Sequence, residues 1–173
     1  MSIPQPWWPL LGVVLGFCLG EGTRYVRYRW EIHRNRRLVQ QELKSVIAQL
    51  PQKKDILSKA IANLKEKRSL TTKSVHLIAT GYAAVLSDLY PHLSVQQRNC
   101  LHVIYERLRV TDEEMDRFED HFLEMVRNNQ IDDPWISYVG RLEDQLDSLK
   151  LVEELAKSYL AGRPIDVFGV GRK

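Results

Sequence analysis

From Trp7 to Leu19 the chain reads WWPLLGVVLGFCL, thirteen residues without a formal charge. At 1.5 Å of rise per residue such a run makes a helix of only ~20 Å, against ~30 Å of bilayer hydrocarbon. By itself it suits a signal-peptide core or a re-entrant segment. Its surroundings point elsewhere. Trp7 and Trp8 open the run, and Tyr25, Tyr28 and Trp30 follow it, as aromatic belts do at the two faces of a membrane. Trp8 to Tyr28 rises ~30 Å as a helix, a bilayer's thickness. Glu21 and Arg24 then fall near the inner boundary, where i,i+3 pairing and snorkelling lower their cost.

Cleavage fits the segment less well. No basic residue precedes the run, and Glu-Gly-Thr-Arg follows it in place of an A-x-A-like cleavage site. Phe17 is too bulky for the position before a lipidated Cys18. The sequence therefore predicts an uncleaved transmembrane anchor over 9–30, with 1–8 as a short extracytoplasmic tail. Arg24, Arg27 and Arg29 sit on the downstream flank with Arg34, Arg36 and Arg37. The positive-inside rule then places the N-terminus outside and the body in the cytoplasm. Trp7, Trp8, Arg24, Tyr25, Arg27, Tyr28, Arg29 and Trp30 are the expected membrane-interface residues, and lipid is the first expected partner. Gly12, Gly16 and Gly20 recur at spacing four, a stripe that lets a second helix approach closely. Through it the anchor is expected to meet itself or another transmembrane protein.

Charge is segregated along the 173 residues. The first twenty carry none, 21–54 carry a net +6, 55–110 a net +4, 111–161 a net −9 and 162–173 a net +2. A basic front and an acidic back imply different partners at the two ends. The whole-chain charge of +3 is too mild for a nucleic-acid protein, and the aromatics between the arginines already have a membrane role. Nucleic acid is the least favoured partner. Two cysteines exclude a disulfide scaffold.

Beyond the anchor the pattern is helical, with no sustained two-residue alternation. Val39, Leu43, Val46 and Leu50 form a stripe that Ile32 extends backward, and one helix is expected from Pro9 to about Gln49, stopped by Pro51. Ile56, Leu57, Ala60, Ile61 and Leu64 form the next face. Val75, Ile78, Tyr82, Val85, Leu86 and Leu89 form a third, closed near Pro91. Ser94 to Gln97 reads as a capping box, and Thr111 to Glu114 as another. Asp133-Pro134 reads as a further helix start, for a stripe from Trp135 to Tyr159 that ends at Gly162. The expected fold is all-α: a transmembrane helix continuing into a cytoplasmic bundle, 31–162, of about five amphipathic helices, then an apolar tail, 163–173.

Chemistry is sparsely signalled. No histidine has Glu three residues before it, as a di-iron bundle needs, and H-E-x-x-H, Cys-x-x-Cys and phosphate-cradling glycine loops are missing. Cys100 and His102 lack the spacing to meet on one helix face. No catalytic residue, metal or cofactor is expected. The acidic stretch containing Asp112, Glu113, Asp116 and Asp120 lacks the glycine of a calcium loop. It reads as a solvated face or as a dock for a basic protein. Ile165, Val167 and Phe168 in the tail are apolar enough to pack on the bundle or enter a partner's groove. The function expected is that of a non-enzymatic, single-pass membrane-anchored adaptor or regulatory subunit. The alternative is an oligomerising effector that perturbs the bilayer.

Overall fold

The structure, a computed structural model, describes residues 7–66, 68, 76–127 and 135–163. All regular structure among them is helical. Helix α1 runs Trp7–Lys65, α2 Gly81–Leu89, α3 Val95–Arg127 and α4 Trp135–Leu160, with a single 3-10 turn, Tyr90–His92, between α2 and α3. That is fewer and longer helices than the expected five. The expected helix start at Asp133-Pro134 and the tail residues Ile165, Val167 and Phe168 lie outside the described residues.

Cross-helix bonds set the topology. Glu42 meets Gly81 while Tyr28 meets His92, so α2 descends against α1. Glu42 also meets Tyr105, and Lys53 meets Asp112, so α3 runs parallel to α1. Lys54 pairs with Glu153 and Lys65 with Glu143, so α4 returns antiparallel. The result is an up-down-up-down bundle. Its core joins Leu43, Leu50 and Leu64 of α1 to Leu89, Leu101, Ile104, Leu149 and Leu155, each fully buried.

Three expected helix boundaries are corrected. Pro51 does not end α1, which continues for fourteen residues past it. An interior proline costs ~3 kcal/mol, yet Leu57, Ala60, Ile61 and Leu64 beyond it are all buried. At roughly 1.5–3 kcal/mol for each large side chain, their burial outweighs the break. Thr111 does not cap a new helix; it lies inside α3, fully buried, and its hydroxyl donates to Gln145 Oε1 at 2.9 Å. The stripe Leu108, Thr111, Met115, Phe118 carries α3 straight through. Helix α2 starts at Gly81, later than its apolar pattern implies, and Ile78 is exposed in the non-helical stretch before it. Two expected boundaries are seen. Ser94 and Gln97 bond reciprocally, Ser94 N to Gln97 Oε1 at 3.0 Å and Gln97 N to Ser94 Oγ at 3.2 Å. Gly162, at φ +63°, closes α4 as the left-handed residue that a helix end favours.

The membrane-crossing anchor also needs correction. Among the described residues no helix is long and apolar enough to cross a membrane. The apolar run is too short, and the next turns bring Glu21, Arg24, Arg27 and Arg29. The chain has instead an apolar arm. From Pro9 to Trp30 every residue of α1 is exposed, and burial starts with Ile32.

Candidate functional site

A helix propagates through its own hydrogen bonds, so α1 continues outward after its packing partners end. The arm consequently presents Leu10, Leu11, Val13, Val14, Leu15, Phe17 and Leu19 on all sides. Gly12, Gly16 and Gly20 lie in open space, where an added Cβ would meet nothing within 4 Å. Trp7 is exposed at the tip, and the side chain of Trp8 lies outside the described set.

At the base of the arm, charge and aromatic rings alternate. Arg24 pairs with Glu21 at 3.1 Å and Arg27 with Glu31 at 3.3 Å. Arg29 lies 6.0 Å from the Tyr25 ring centroid and Arg34 lies 5.3 Å from that of Trp30. The 3-10 turn clasps this base. Tyr28 Oη is 2.7 Å from His92 Nε2, and Arg36 donates to the His92 carbonyl. Beside them Arg98 sits 4.3 Å from the centre of the Tyr90 ring and donates to the Leu93 carbonyl. Tyr90, His92 and Arg98 belong to this collar but carry no sequence signal for it. Only the return of α2 brings His92, with its neighbours, beside Tyr28 and Arg36, more than fifty positions away.

The acidic residues are largely engaged within the bundle. Asp112 accepts from buried Lys53 at 2.7 Å and from the backbone N–H of Leu77 at 2.9 Å. Asp116 holds His76 at 2.9 Å, and Glu113 pairs with Arg109 one turn back. Asp120 is exposed. Glu42 was missed altogether from sequence. Its carboxylate takes the N–H groups of Gly81 and Tyr82 and the hydroxyl of Tyr105, the last at 2.7 Å. Burial, then the Glu42 bond, raises the Tyr105 phenol far above its ordinary range. Glu42 thus caps α2 from a neighbouring helix, in place of Thr80, whose side chain makes no cap bond.

A cleft of about 460 Å³ opens between α3 and α4, floored by Met115, Phe118, Tyr138 and Leu142 and edged by His121 and Arg141. Among the described residues no group of three or more His, Cys, Asp or Glu is placed to hold a metal. Cys100 is buried, with its thiol toward the Leu155 carbonyl, and burial pushes it up to about 11. Comparison with family models, with curated proteins and with solved structures finds no match.

Proposed function

We propose that this protein is a non-enzymatic adaptor or regulatory subunit that is seated at a membrane by its N-terminal arm. One observation carries the reading: an apolar helical arm, Pro9 to Leu19, that is exposed throughout and that no other helix covers among the described residues. A helix that is apolar all round is at home in a membrane or a protein core, and an exposed apolar patch of this extent marks a contact surface. The aromatic residues at both ends of the arm and the arginines at its base favour the membrane. The bundle stays on the cytoplasmic side. The titratable groups best placed for chemistry already serve the fold: Glu42 as a cap, Asp112 as a tie, Cys100 as packing. Recruitment then falls to the bundle, where exposed Asp120 on the net-negative second half of α3 suits a basic protein.

The test uses dye-loaded vesicles of phosphatidylcholine. The full chain should float with them and leave their contents inside, and a chain lacking residues 1–30 should remain in solution. A full chain that stays in solution would refute the reading. Leakage would replace it with the bilayer-perturbing effector.

A further inference from the structure

Resting on the membrane reading above, we propose that the collar at the base of the arm is a binding surface for anionic lipid headgroups. Two independent features point to it. The apolar run is short, and a modest hydrophobic anchor gains much from a second signal such as a polybasic patch. The fold supplies that signal. Residues 21–37 carry six arginines against Glu21 and Glu31.

Arg24 and Arg27 are matched by those two carboxylates. Arg29 and Arg34 instead rest on rings, Tyr25 and Trp30, and neither has a carboxylate partner among the described residues. Five positions apart on a helix, they face different sides, so the positive charge surrounds α1. The Tyr28–His92 contact and the Arg36 bond to the His92 carbonyl hold the 3-10 turn at this level. They bring Arg98, stacked on half-exposed Tyr90, to the same end of the bundle. Asp88 at the end of α2 is exposed nearby and takes a hydrogen bond from Ser87. Guanidinium groups beside aromatic rings suit the headgroup layer. The rings lie at the depth of the glycerol backbone, and the charges meet phosphate. The acidic half of α3 and α4 faces away from this end, so the bundle's charge asymmetry would orient it on the bilayer.

The experiment measures partition of the full chain onto vesicles of pure phosphatidylcholine and onto vesicles with about one-third phosphatidylglycerol. The anionic vesicles should be favoured at least ~100-fold, about 1 kcal/mol for each arginine of the collar, with the preference falling as salt rises. Arg29→Gln with Arg34→Gln should cost roughly 20-fold on anionic vesicles, and adding Arg98→Gln should bring the loss to roughly 100-fold. Binding to neutral vesicles should not change. Because Arg98 also bonds the Leu93 carbonyl, the double variant decides if the triple variant proves unstable. Equal partition onto both vesicles, or a preference that persists at high salt, would overturn the proposal. So would release of the chain from anionic vesicles by single-stranded RNA at equal phosphate, since the collar would then be an RNA surface. No binding to neutral vesicles would be a failure of the arm instead, which the anionic series reads separately.

Discussion

Glu42 shows what one side chain can do for this fold. A half-buried carboxylate accepting two backbone N–H groups and a phenol stands in for a whole helix cap. Bonds to a charged group contribute about 1.5–3 kcal/mol each at best, and they share one side chain here. Glu42→Ala should therefore lower unfolding stability by about 3 kcal/mol in a denaturant titration, and Glu42→Gln by less. An unchanged midpoint for the alanine variant would show that α2 does not depend on this cap. His76 is the titrating counterpart. Its hydrogen bond to Asp116, then the charges of Asp116 and Asp112, raise it above 6.5. A group raised on folding stabilises fully below its unfolded value, and that contribution fades as pH rises through the folded one. The gap in melting temperature between the native chain and His76→Gln should thus be widest below pH 6.5 and close on the alkaline side. A gap that widens with pH would contradict the pair. Neither role was legible in the sequence, because each joins residues about forty positions apart.

At the scale of elements, the sequence was informative wherever the signal is local. The stripe Val39, Leu43, Val46, Leu50 is buried as its spacing implies. The Ser94–Gln97 box and the Gly162 stop need only neighbouring residues, and both are present. Pro51 and Thr111 misled for one reason: each carries a local helix-end signal that tertiary packing overrides. For Pro51 this has a measurable consequence. It is exposed, lies inside α1 and supplies no backbone N–H. Pro51→Ala should restore that bond and stabilise the bundle by about 1–3 kcal/mol, after allowance for the greater freedom of the unfolded chain. A loss of stability in the same titration would mean that the proline favours this fold more than the missing bond disfavours it.

For the whole molecule, the bundle and the arm solve opposite problems on one helix. Residues 32–65 of α1 bury their stripe against α2 and α4. Residues 9–30 stay exposed, with His92 against Tyr28 at their base. The sequence showed the arm's apolar run, aromatic ends and arginines plainly. It did not show that the collar would be completed by Tyr90, His92 and Arg98, because that depends on where the returning helix ends. Charge follows the same polarity, basic at the arm and acidic across α3 and α4.

The chain carries its own probe for the central claim. Cys18 is exposed on the arm, whereas Cys100 is buried with a thiol raised to about 11, so a nitroxide reagent near neutral pH should label Cys18 alone. With the labelled full chain on phosphatidylcholine vesicles, collision with oxygen and with a water-soluble nickel complex reports the depth of the label. The account predicts a label reached by oxygen and shielded from nickel, at hydrocarbon depth. A label equally open to nickel with and without vesicles would contradict it.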